Sequence, residues 1–126
     1  MNKRSGRQLA EGGIPEIAGA MLERVWAVSG AETGRVLSIY LLLQDLWFRV
    51  FLDAGVLFLD VCDGPDAEDD LAAGEAYLDF SGMQRMQGEV IRKASVENGV
   101  FRIAFESGAT LILEAVGEEA ALRFVK

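Results

Sequence analysis

The chain has 126 residues, enough for one domain with its own hydrophobic core, and 51% of them are hydrophobic while 25% are charged. The formal charge of −8, from 20 acidic and 12 basic residues, argues against binding a nucleic-acid backbone, which needs clustered Lys and Arg. The single cysteine, Cys62, excludes an intramolecular disulfide, and the longest apolar runs are too short to cross a bilayer. We therefore expect a soluble cytoplasmic protein.

The first stretch, residues 1–13, is polar and glycine-rich and is predicted to be a flexible tail ahead of a single domain over 14–126. Two interpretations compete for the next segment. Residues 14–28 have apolar side chains at helical spacing, and Pro15 suits a first helical turn. The same segment also matches a later stretch that looks extended, so we prefer a strand over 20–28.

A glycine-containing loop is predicted at 29–35, followed by a nearly continuous apolar run at 36–44. Such a run is typical of a strand that is buried on both faces. Further strands of this half are predicted at 46–53, 56–62 and 75–80. The last two are separated by an acidic loop over 63–74, which opens with Asp-Gly-Pro-Asp.

The second half shows the same strand-and-turn pattern in a shorter form. Strands are predicted at 88–97, 100–106, 109–115 and 119–124. Asn98 and Gly99 form the dipeptide that is preferred in two-residue hairpin turns, because both positions need a positive φ. A second turn is predicted at Ser107 and Gly108.

Three segments of the second half resemble three of the first, in the same order. The matched pairs are 19–25 with 88–94, 48–55 with 101–108, and 75–80 with 119–124. We interpret them as an internal duplication with units near 19–80 and 88–125. The predicted fold is all-β, with at most one short N-terminal helix: an antiparallel meander of eight or nine strands that forms a sandwich or a partly open barrel. Gly55 and Gly108, at matched positions, are predicted to have positive φ.

Catalytic and metal-binding residues are scarce. The chain has no histidine, the commonest general base near neutral pH, and Cys62 stands beside acidic residues that would raise the pKa of its thiol. We therefore interpret Cys62 as a buried structural thiol. The acids between 60 and 70 do not follow the EF-hand spacing, so a solvated loop is favoured over a metal site. No enzyme activity and no cofactor is predicted.

The predicted binding residues are of two kinds, aromatic and acidic. Trp26 and Trp47 have no copy at their matched positions, and aromatic residues near an acidic loop are typical protein-contact anchors. The acidic candidates are Asp66, Glu68, Asp69 and Asp70. The matched Arg49 and Arg102 are predicted to point to solvent or to pair with an acid on a neighbouring strand.

The repeated pattern, Gly-x-Met-Leu or Gly-x-Val-Ile followed by Phe-Arg-Val or Phe-Arg-Ile and then Gly, resembles small bacterial all-β proteins of unknown function. Some of these resemble immunity proteins of toxin systems. The lack of catalytic groups, the acidic charge and the acidic loop predict a non-enzymatic protein that neutralises or regulates a protein partner, with a basic toxin domain as one candidate. Two alternatives remain open: a carrier of a small apolar ligand, and a structural subunit that dimerises through 36–43 if an edge of that strand is uncovered.

Overall fold

The computed structural model describes residues 7–9, 11–30, 35–53, 55–66, 71–117 and 119–126. The predicted all-β class is confirmed. The strands are β1 (Arg7–Gln8), β2 (Gly12–Gly13), β3 (Leu22–Gly30), β4 (Val36–Leu43), β5 (Leu46–Asp53), β6 (Val56–Cys62), β7 (Glu75–Asp79), β8 (Ile91–Glu97), β9 (Val100–Phe105), β10 (Thr110–Val116) and β11 (Glu119–Val125). A 3-10 turn spans Pro15–Ile17, and one short helix, α1, spans Phe80–Gln84.

The strands form two antiparallel meanders that belong to one continuous sheet. The first meander is β3–β4–β5–β6 and the second is β8–β9–β10–β11. They join where Val36 of β4 pairs with Ala120 of β11. Strand β7 extends the first meander beyond β3, while β1 pairs with β6 and β2 with β8. The path of strands does not close on itself.

Both meanders turn one face toward the same core. Alternate residues of each strand point inward, as the two-residue period of a pleated strand requires. Side chains with no exposed surface come from both halves: Leu22, Val25, Ile39, Leu41, Val50, Ile91, Phe101, Ile103, Phe105 and Leu111. Burial of each such aliphatic or aromatic side chain contributes about 1.5–3 kcal/mol. The sheet therefore folds over a single core, which holds its two halves together.

The hairpin turns follow the predicted turn chemistry. Asn98 and Gly99 have φ of 52° and 76°, so the Asn-Gly prediction is confirmed. Gly55 and Gly108 have φ of 80° and 98°, as predicted. The turn between β4 and β5 places Gln44 and the residue after it in the same left-handed region without a glycine.

The two meanders begin in the same way. The strand register shifts between Leu22 and Arg24 in β3, and again between Ile91 and Lys93 in β8. Just before these shifts, Met21 and Val90 form an antiparallel bridge with each other. The sequence match, however, aligns β5, the third strand of the first meander, with β9, the second strand of the other. The internal duplication therefore stays a prediction.

In the first half of the chain one strand prediction is confirmed and two other predictions need correction. The strand preferred for 20–28 is confirmed as β3, and the competing helix is reduced to the 3-10 turn. Residues within the expected flexible tail instead pair with the sheet as β1 and β2, because Leu9 and Ile14 bury their side chains in the core. The strand at 75–80 ends one residue early, where Asp79 caps α1 by accepting a hydrogen bond from the backbone N–H of Gly82.

Candidate functional site

The outer face of the first meander carries one row of large polar and aromatic side chains. Trp26 of β3 lies opposite Tyr40 of β4, which lies opposite Arg49 of β5, which lies opposite Asp60 of β6. A sheet face directed away from the core normally carries small or charged residues that water can solvate. This face is instead half-buried and dominated by rings.

The middle of the row is a polar cluster with little access to water. The Arg49 guanidinium lies 3.8 Å from the Asp60 carboxylate and 4.2 Å from the centre of the Phe51 ring. Tyr40 is 4% exposed, and burial raises the pKa of its hydroxyl, while a hydrogen bond with Arg49 acts in the opposite direction. The prediction that Arg49 pairs with an acid on a neighbouring strand is confirmed.

Aromatic rings extend from this cluster toward β7. The Tyr77 ring lies 5.6 Å from the Trp26 ring and 6.3 Å from the Tyr40 ring, measured between centres. Both pairs are inclined, which is the geometry that aromatic quadrupoles favour. The indole N–H of Trp26 is buried and finds no acceptor among the described residues. Tyr77 thus connects the edge strand β7 to the aromatic row.

The start of the acidic loop lies over the same rings. A side-chain carbon added to Gly64 would come within 3.3 Å of the Trp47 indole nitrogen, and the φ of 129° at Gly64 is one that residues with a side chain rarely adopt, so glycine favours this close approach. Two residues later, the Tyr77 hydroxyl donates a 2.6 Å hydrogen bond to the carbonyl of Asp66. The loop backbone is therefore held against both Trp47 and Tyr77.

Between the loop and the sheet lies an open groove of about 440 Å³. Its lining residues are Arg24, Trp26, Trp47, Pro65, Asp66 and Tyr77. Aromatic and proline rings form the walls, with one cation and one carboxylate among them. The groove offers flat apolar surface together with charges of both signs, but no arrangement of nucleophile and base.

Three of the predicted binding residues come together in this groove: Trp26, Trp47 and Asp66. The other three, Glu68, Asp69 and Asp70, lie outside the described residues. Sequence reasoning missed Tyr77, Arg24 and Pro65. Tyr77 could have been found from its spacing, because it stands on the outward face of a predicted strand next to the loop.

Two further residues considered in the sequence are Cys62 and Arg102. Cys62 forms no disulfide and lies half-buried on the outer face opposite Trp47, so the prediction of a buried thiol is wrong. The cause is its outward position at the end of β6. Arg102 is exposed on the second meander, as predicted. Within the described part of the chain, no group of three His, Cys, Asp or Glu side chains is placed to hold a metal ion.

Comparisons with known proteins add no relative: no family model, no curated protein and no solved structure matches the chain. Among the residues that the structure describes, no helix is long and apolar enough to span a membrane.

Proposed function

We propose that this is a non-enzymatic binding protein and that a protein partner docks in the groove between Trp26, Trp47 and Tyr77. The observation that carries the proposal is the convergence of these rings with Pro65 on a sheet face that points away from the core. Tryptophan and tyrosine are the side chains that most often dominate binding energy at protein interfaces, because they bury a large rigid surface and keep a polar tip.

The electrostatics favour a basic partner. The chain carries a charge of −8, and Asp66 stands at the groove as the first acid of a run that continues with Glu68, Asp69 and Asp70. An Arg or Lys side chain of a partner would find aromatic faces for a cation–π contact and a carboxylate nearby. On the basis of the resemblance to immunity proteins, we further propose that this partner is a toxin domain.

The alternatives have weaker support. A carrier of an apolar ligand needs an enclosed cavity, whereas the core positions between the two meanders are filled by Phe101, Phe105 and their neighbours. Dimerisation through the 36–43 strand needs a free edge, but β4 is hydrogen-bonded to β3 on one side and to β5 on the other. The pairing on both sides of β4 therefore weighs against this alternative.

The test is a pull-down with a matched pair of variants. Trp47→Ala removes one wall of the groove, while Phe58→Ala removes an aromatic ring that stacks on Phe51, on the same face but outside the groove. Proteins retained by the immobilised wild-type chain from a lysate of its source are identified by mass spectrometry. We expect a partner that the Phe58 variant retains and that the Trp47 variant binds at least tenfold more weakly, since loss of an anchor residue costs about 2 kcal/mol or more.

Circular dichroism of both variants shows whether they keep the fold. Equal retention of the partner by both folded variants would contradict the proposal, and so would equal loss. A second substitution, Trp26→Phe, keeps an aromatic ring but removes the indole N–H and part of the ring surface, and shows whether binding needs the indole itself.

A further inference from the structure

The outer face of the second meander differs in charge from the rest of the protein. Lys93 of β8, Arg102 of β9 and Arg123 of β11 are all exposed there. Within the described residues none of them lies within ion-pair distance of an acid. The nearest acids on these strands, Glu97 and Glu114, lie one row further along the sheet. In a chain of net charge −8, three uncompensated cations on one face form a local site for negative charge.

The register of the strands fixes the spacing of these cations. Arg102 and Arg123 both lie opposite Ile112 of β10, one on each side. Because neighbouring strands are about 4.8 Å apart, their backbones are separated by about 10 Å with Ile112 between them. Ser95 lies opposite Arg102 on its other side and adds a hydroxyl to the same row.

An open groove of about 340 Å³ runs beside this row. It is lined by Lys93, Ser95, Arg102, Ala104, Thr110, Ile112 and Val125. Two cations and two hydroxyls supply hydrogen-bond donors, while the remaining side chains make an apolar floor, and no carboxylate lines the groove. The surface therefore suits a ligand that carries negative charges on either side of an apolar group.

We propose that this face binds an extended acidic segment of a protein. In an extended chain each residue rises about 3.3 Å, and alternate residues point to the same side. Side chains on one side are therefore about 6.6 Å apart. An acid, an apolar residue and a second acid at alternate positions would therefore reach Arg102, Ile112 and Arg123 in turn, with the long arginine side chains absorbing the small mismatch in length. Guanidinium groups bind carboxylates through two parallel hydrogen bonds, which makes such a pair selective as well as strong.

Charge complementarity also decides against a nucleic acid as the occupant. A nucleic-acid backbone requires many simultaneous cationic contacts, and the acidic remainder of this chain would repel it. A short acidic peptide needs only the cations of this one face. The surface is separate from the groove of the first meander, so this inference does not rest on the proposed function.

The experiment measures the binding of a labelled peptide by fluorescence anisotropy. The peptide contains Asp-Ser-Leu-Ser-Asp between glycine spacers, and its control replaces both Asp by Asn. The site variant is Arg102→Gln with Arg123→Gln. The matched control is Arg85→Gln with Lys126→Gln, which removes the same charge from positions that line neither groove. All four side chains are exposed, so the fold should be kept in both variants.

We expect the acidic peptide to bind the wild-type chain and the control variant equally, and the site variant at least about tenfold more weakly, with a loss of affinity at high salt. Equal weakening in both variants would show that only net charge matters and would overturn the proposal. It would also be overturned if the wild-type chain fails to bind the peptide at about 1 mM, or if a single-stranded DNA oligonucleotide of the same charge binds more tightly.

Discussion

The Tyr77 hydroxyl donates a 2.6 Å hydrogen bond to the backbone carbonyl of Asp66, and this bond joins the edge strand β7 to the loop that covers the aromatic face. The loop leaves β6 at Asp63 and passes over Trp47 at Gly64 before it reaches this contact. The shape of the groove therefore depends on a hydrogen bond from Tyr77, a residue that itself lines the groove.

Tyr77→Phe should loosen the loop while leaving the ring in place. We expect the free energy of unfolding to fall by about 0.5–1.5 kcal/mol, the usual net value of one hydrogen bond, and the tryptophan emission to shift because Trp47 gains water. Urea denaturation and fluorescence measure both effects. Ser107→Ala is the control for the emission change: far from the groove, it removes the 2.7 Å hydrogen bond to Glu89 and the 3.3 Å one that Ser107 accepts from the backbone N–H of Ala109. An identical emission change in both variants would contradict this role for Tyr77.

Gly108→Ala should destabilise the protein through the backbone alone. Gly108 has a φ of 98°, and an added side-chain carbon would meet nothing within 4 Å, so steric contact adds no cost. We expect a loss of about 1–2 kcal/mol, the cost of a left-handed conformation for a residue with a side chain. Gly13→Ala is the matched control, since its φ is ordinary and the nearest atom is 3.9 Å away. Equal melting temperatures of the two variants would refute this explanation.

The strands and turns could be predicted because their signals are local. Asn98-Gly99 demands positive φ at both positions, and alternating apolar residues fix the inward face of each strand. Helix α1 could not be predicted, because Asp79 and Phe80 continue the extended pattern of 75–80, and only the structure shows Asp79 as a helix cap. The pairing of β4 with β11 could not be predicted from the sequence either, because it joins residues far apart in the chain.

The candidate site was predictable only in part. Trp26 and Trp47 stand out in the sequence because they are its two tryptophans and have no copy at their matched positions, and Asp66 belongs to an obvious acidic loop. That they lie in one groove follows from the register of β3 with β4 and β4 with β5, which a sequence does not display. The basic face was also missed, because Lys93, Arg102 and Arg123 are separated in sequence and stand in an acidic chain.

The raised pKa of Tyr40 predicts a loss of stability at high pH. Burial disfavours the tyrosinate in the folded protein, so its pKa lies above the ordinary value of 10.0. Below that value both states keep the proton. As the pH rises past about 10, the unfolded chain releases the proton and the folded protein retains it, so stability falls until the folded pKa is reached.

Tyr40→Phe tests this assignment. The variant should lose the part of the alkaline destabilisation that Tyr40 causes, measured as the slope of unfolding free energy against pH from about pH 9 upward. Ser107→Ala serves as the comparison, because it removes a hydroxyl that does not titrate in this pH range. A slope that is unchanged in the Tyr40 variant would show that other groups govern the alkaline transition.

The last prediction concerns the steering of a basic partner by the acidic loop. Replacing Asp66, Glu68, Asp69 and Asp70 by Asn or Gln should slow association and flatten its salt dependence, because clustered charges raise the encounter rate and salt screens them over about 8–10 Å. The melting temperature should change little, since solvated carboxylates contribute little to stability. Stopped-flow mixing with the partner captured through the groove measures the rate. The matched control removes the same charge from exposed acids elsewhere, at Asp45, Asp53, Glu97 and Glu106. If the control slows association as much as the loop variant does, net charge rather than the loop guides the partner, and the aromatic walls alone would then determine where it docks.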